Sequence, residues 1–83
     1  MFTERMSVGL DVHARSVAAA AIDSETGELF QTKLTPNPAT VEAWITALPG
    51  PAAVAYEAGP TGFGLYRHLD SAGIRTVVAA CPQ

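Results

Sequence analysis

The chain has 83 residues, 48% of them hydrophobic, and a formal net charge of −3. This length allows one small domain, and the hydrophobic content excludes an intrinsically disordered chain. The five Lys and Arg residues are spread along the sequence, which argues against strong autonomous nucleic-acid binding, because such binding needs grouped cations to neutralise phosphates.

The sequence shows none of the features of a secreted or membrane protein. Cys81 is the single cysteine, so it has no partner for an internal disulfide. The first residues do not follow the pattern of a signal peptide, and no apolar run reaches membrane-spanning length. We therefore expect a cytoplasmic protein without membrane contact.

Three strands are predicted in the first part of the chain. Residues 6–12 favour one strand and residues 16–23 a second, with residues 13–15 as the short connection. Residues 23–27 have the composition of a hairpin loop, with a glycine available for positive φ. Residues 28–34 then alternate in polarity, which is typical of a half-exposed strand at a sheet edge.

A helix and a fourth strand are predicted next. Asn37 is a suitable N-cap, and Pro38 is tolerated in the first helical turn. An apolar stripe at the spacing i, i+3, i+4, i+7 follows, formed by Val41, Trp44, Ile45 and Leu48. Residues 52–56 are apolar without alternation, which is typical of a strand covered on both faces.

A second helix and a fifth strand complete the predicted order β-β-β-α-β-α-β. The second helix carries apolar residues at helical spacing and ends at Gly73, and residues 76–80 form the last strand. This order predicts an α/β fold with a mixed sheet, in which the first strand can lie beside the fourth in parallel orientation. Asp11 and Glu57 would then lie at the carboxyl ends of adjacent strands, where open α/β sheets place their sites.

Each of these two acids follows an apolar, strand-like run. A carboxylate embedded in such a run is costly to bury without partners, and Glu57 repeats the arrangement of Asp11. Two carboxylates at neighbouring strand ends predict half of a divalent-metal site. The structural alternatives are that Asp11 caps a turn and that Glu57 pairs with Arg15 or Arg67.

Three segments together resemble the amino-terminal part of the DEDD transposases of bacterial insertion sequences, in the group called IS one-ten. These segments are GLDVH at 9–13, YEAGPTG at 56–62 and GIRTVVA at 73–79, and the resemblance covers nearly the whole chain. It implies an RNase H-like, RuvC-like fold and a four-carboxylate site that binds Mg²⁺ or Mn²⁺. It also implies DNA transposition by strand cleavage and joining, with an RNA that bridges donor and target DNA.

On the positions of this sequence, the resemblance implies that Asp11 and Glu57 are the first two acids of that site and act as catalytic metal ligands. The two further aspartates and the serine-bearing domain of this family are not found in residues 1–83. We therefore expect a partial RNase H-like domain, incomplete at its carboxyl end, that binds metal only weakly and is inactive alone. His13, Arg15 and Thr61 are candidate nucleic-acid contacts.

The partners implied for the intact family are the element ends and target DNA, the bridging RNA and further copies of the protein. One alternative is an inactive remnant or interaction module that associates with full-length transposase. A less favoured alternative is an actin-like ATPase fragment. That architecture also starts with an aspartate on its first strand, but residues 12–15 lack the glycine that a phosphate-holding hairpin would need.

Overall fold

Five strands and two helices form a mixed α/β fold, as predicted. The computed structural model describes residues 4–13, 15–58 and 63–80. In chain order the elements are β1 (Met6–Val12), β2 (Val17–Asp23), β3 (Leu29–Leu34), α1 (Pro38–Thr46), β4 (Ala52–Ala58), α2 (Phe63–Ser71) and β5 (Arg75–Ala80).

The strands form one open sheet in the order β3-β2-β1-β4-β5. The pairs β1–β2 and β2–β3 are antiparallel, because short connections join these strands. The pairs β1–β4 and β4–β5 are parallel; α1 connects β3 to β4, and α2 connects β4 to β5. The central strand β1 therefore joins an antiparallel half of the sheet to a parallel half.

Both helices contribute to a core on one face of the sheet. Along β1, the buried residues Met6, Val8 and Leu10 alternate with the more exposed Ser7, Gly9 and Asp11. The buried set of β1 belongs to one hydrophobic cluster with Val41 and Ile45 of α1 and with Leu65 and Leu69 of α2. We call this side the core face and the opposite side the open face.

The prediction that residues 52–56 are covered on both faces holds only at the start of β4, where Ala53 and Val54 are both 0% exposed. Val54 and Tyr56 are buried on the core face, whereas Ala55 is exposed on the open face. The reason is that alanine fits exposed and buried positions alike, so an alanine-rich strand lacks the alternation that would reveal its exposed side.

Local signals in the sequence set the ends of the helices. The Asn37 side chain accepts a hydrogen bond from the backbone N–H of Ala39 at 2.9 Å, which caps α1 as predicted. Gly73 has φ +82° after α2, a left-handed conformation that favours glycine and ends the helix. Within the described residues, no helix is both long and apolar enough to cross a membrane.

Candidate functional site

Asp11 and Glu57 occupy paired positions on adjacent strands. The parallel register of β1 and β4 places their Cα atoms opposite each other, near the carboxyl ends of both strands. Neighbouring strands lie about 4.8 Å apart, and register partners in a sheet lie on the same face. The Glu57 side chain lies outside the described part of the structure, so its pairing with Arg15 or Arg67 stays a prediction.

Asp11 is an exposed carboxylate, contrary to the expectation that its strand embeds it. Its side chain is 67% exposed, because Asp11 lies on the open face, and its Oδ2 is 3.1 Å from Nε2 of His13. Asp11 lies within β1 and not in a turn. Its carboxylate keeps its hydration in the folded chain and is accessible to a ligand.

The acid that the structure does bury is Asp23, which was predicted at the junction of the second strand and the hairpin loop and was given no further role. Its carboxylate accepts hydrogen bonds from Nε and Nη2 of Arg5, at 3.0 and 2.9 Å. It also accepts the backbone N–H groups of Glu25 and Thr26 in the β2–β3 turn. These hydrogen bonds, those of Arg5 foremost, lower the pKa of Asp23 to about 2.

This half-buried pair is structural and lies at the opposite end of β1 from Asp11. Asp23 is the register partner of Met6, so Arg5 directly precedes that pair. The hairpin register could therefore have predicted the contact. The Arg5 side chain also lies against Gly50, where an added Cβ would come within 2.6 Å of its Cδ. The pair thus holds together the start of β1, the β2–β3 turn and the loop before β4.

Two of the three remaining candidate contacts lie in the β1–β2 connection. His13 has a 62% exposed side chain, and its backbone N–H donates to the carbonyl of Ser16 at 2.9 Å, which closes the β1–β2 connection. Arg15 is exposed in the same connection. His13 and Arg15 therefore follow Asp11 at the same end of the sheet, whereas Thr61 lies outside the described residues.

A groove runs across the open face beside Asp11. Its volume is about 770 Å³, and small residues of β1, β2 and β4 form its floor: Gly9, Ala18, Ala20 and Ala55. Gln31 and Lys33 of β3 line the groove as well. The alternation predicted for residues 28–34 puts both on one face of the edge strand, and neither was a predicted site residue.

The donor chemistry of the two acids fits a hard divalent cation such as Mg²⁺, which prefers carboxylate oxygens and retains several waters. Among the described residues, no group of three or more His, Cys, Asp or Glu residues could hold a metal ion. Asp11 and Glu57 therefore provide at most a partial ligand set. Next to them on the core face, burial raises the pKa of Tyr56.

No protein-family model matches the chain. The chain is 30% identical over 80 residues to the transposase for insertion sequence element IS1533 of Leptospira borgpetersenii. The match covers 92% of this chain and 23% of the relative, so the chain spans less than a quarter of that protein. Over most of its length, the chain is thus similar to one segment of an insertion-sequence transposase.

Proposed function

We propose that this chain is part of a DNA transposase in which Asp11 and Glu57 provide two carboxylates of a divalent-metal site. The pairing of the two acids across β1 and β4 is the observation that carries the proposal. The exposure of Asp11 and the 30% identity to a transposase segment support it. An RNase H-like, RuvC-like fold of the DEDD type and of the IS one-ten group is part of the same proposal.

The reaction class comes from the similarity to a transposase segment, and the chemistry of the donors is compatible with it. Two divalent ions about 4 Å apart can stabilise the attacking and leaving oxygens of a phosphodiester displacement. Two carboxylates hold one Mg²⁺ ion together with several waters. We therefore expect the 83-residue chain alone not to cut or join DNA in Mg²⁺. DNA cleavage by the wild-type chain that disappears in Asp11→Asn would contradict this expectation.

The residues of this chain have separate parts in the proposed site. Asp11 and Glu57 would hold the cation, which supplies the electrostatic stabilisation of the phosphodiester when it is bound. His13 lies within hydrogen-bond distance of the Asp11 carboxylate. From this position the imidazole would orient the carboxylate as an outer-shell partner of a bound cation.

Calorimetric titration with Mg²⁺ and Mn²⁺ tests the proposal without relying on activity. We expect weak binding, and we expect both Asp11→Asn and Glu57→Gln to lower the affinity at least about tenfold, since even outer-shell partners contribute that much. Asp70→Asn is the matched control, because it removes one negative charge from an exposed position on α2. Equal effects of Asp11→Asn and Asp70→Asn would refute a site at Asp11.

Three parts of the sequence interpretation stay hypotheses. These are the bridging RNA, the interaction module that associates with a full-length transposase, and the actin-like ATPase fragment. Protection of the chain by ATP in a thermal melt would favour the last of these over the transposase proposal.

A further inference from the structure

Gly9 lies in the middle of β1 although the chain itself gives no reason for a glycine there. Its φ is not positive, since the described glycines with positive φ are Gly27 and Gly73. An added Cβ at Gly9 would meet nothing within 4 Å. Glycine weakens a strand interior, and it often marks a place where a ligand approaches the backbone closely.

Lys33 shares a row of positions with the two candidate acids. The register pairs Lys33 with Ala18, Ala18 with Asp11, and Asp11 with Glu57, in a row that crosses four strands. Two strand spacings place the Cα atoms of Lys33 and Asp11 about 10 Å apart. The residue between them is alanine, so no large side chain separates the cation from the carboxylate.

The charge of Lys33 is available to a ligand. Lys33 is exposed and lines the groove, and no ion pair of Lys33 occurs among the described residues. Gln31, which can donate two hydrogen bonds, lines the groove from the same strand. An apolar segment lying over the small residues of the groove would leave the Lys33 ammonium and the Asp11 carboxylate at its two sides without partners.

We propose that this groove binds the sugar–phosphate backbone of a nucleic-acid strand and that Lys33 is its phosphate-binding residue. Lys33 would contact a phosphate adjacent to the one at Asp11 and Glu57, as a mobile point charge on a flexible stem. Gly9 leaves the space through which the strand crosses β1. The inference rests on the proposed function, since the two acids repel a phosphate unless a divalent cation is bound between them.

Fluorescence anisotropy with a labelled single-stranded DNA in Mg²⁺ tests this assignment. We expect Lys33→Gln to weaken binding roughly three- to fivefold and to reduce the slope of log K against log salt by about 0.7, the contribution of one contact to a single strand. Lys33→Arg should restore the slope. Arg67→Gln is the matched control, since Arg67 is exposed on α2, on the opposite side of the sheet.

Gly9→Val adds a side chain in the groove and leaves its charged residues unchanged. Valine suits a strand, so the melting temperature should stay the same or rise while DNA binding falls at least as far as in Lys33→Gln. Unchanged DNA binding in Gly9→Val, or equal losses in Lys33→Gln and Arg67→Gln, would overturn the inference. So would a wild-type chain that does not bind the DNA at low salt.

Two further results separate this inference from the proposed function. If Asp11→Asn weakens Mg²⁺ binding but Lys33→Gln does not change DNA binding, the proposed metal site is retained and the assignment of the groove to nucleic acid is refuted. A wild-type dimer that Gly9→Val converts to a monomer in sedimentation would show that a second copy occupies the groove, and this would also overturn the inference.

Discussion

The one-sided core makes a quantitative prediction about two isoleucines. Ile45 of α1 is 2% exposed within the core, whereas Ile22 of β2 is 47% exposed on the open face. Truncation to alanine removes the same atoms at both positions. If the core lies on one face only, Ile45→Ala should be far more destabilising than Ile22→Ala.

The size of each effect follows from burial. Loss of about three methylene equivalents at about 0.8 kcal/mol each, together with a residual cavity, gives about 3 kcal/mol for Ile45→Ala. A chain of this size has a free energy of unfolding of about 4–12 kcal/mol, so the melting temperature should fall by roughly 10–20 °C. Ile22→Ala should cost about 1 kcal/mol, mainly through strand preference and partial burial.

Urea unfolding followed by circular dichroism measures both free energies. The slope m should be the same in the wild type and in the two variants, which would show that only stability has changed. Equal losses at the two positions would refute the one-sided core. Repeating the titration at two protein concentrations identifies a dimer that covers the open face, because its stability would depend on concentration.

Two further predictions concern contacts that the structure shows directly. The hydrogen bonds that Asp23 accepts, those from Arg5 foremost, lower its pKa from 3.8 to about 2, so their stabilisation is complete above about pH 4 and is lost as the pH falls towards 2. The urea midpoint should fall over this interval in the wild type, and a similar fall in Asp23→Asn would contradict the assignment. Asn37→Ala should lower the free energy of unfolding by about 1 kcal/mol through loss of the α1 cap. Asn37→Asp should retain most of the stability that the cap provides. An unchanged urea midpoint in Asn37→Ala would show that the cap does not stabilise the helix.

Local patterns in the sequence predicted the elements well. The first strand was predicted at residues 6–12, and β1 spans Met6–Val12. The alternation of residues 28–34 correctly separated the half-buried side of β3 from its exposed side. Asn37 and Gly73 marked helix ends because a cap and a left-handed turn each depend on a single residue type.

The face of the sheet on which each residue lies, and the long-range contacts, were harder to predict. The alanines of β2 and β4 do not indicate which side of the sheet is buried. The sequence therefore predicted neither the open face nor the exposure of Ala55. The hydrogen bond between His68 of α2 and Glu42 of α1, at 2.6 Å, also escaped prediction. Such a contact depends on how two helices pack, and helical spacing within one helix does not report this.

The pairing of the two candidate acids was predictable because each lies one residue before the end of its strand. Parallel strands that are neighbours bring their carboxyl ends to the same edge, so strand order alone places Asp11 beside Glu57. Lys33 was not predicted as part of the site, because its place in the row depends on the register of β1, β2 and β3 together.

The position of β1 at the centre of the sheet has a consequence for folding. The hairpins β1–β2 and β2–β3 need only short loops to close, whereas the β1–β4 ladder joins strands far apart in the chain. Closing that ladder carries the larger loop entropy and is the slow kind of step in sheet formation. Since Asp11 belongs to the early, local half and Glu57 to the late one, the two acids come together only when this ladder has formed. Any nascent or partly folded chain that lacks the ladder therefore lacks the paired site.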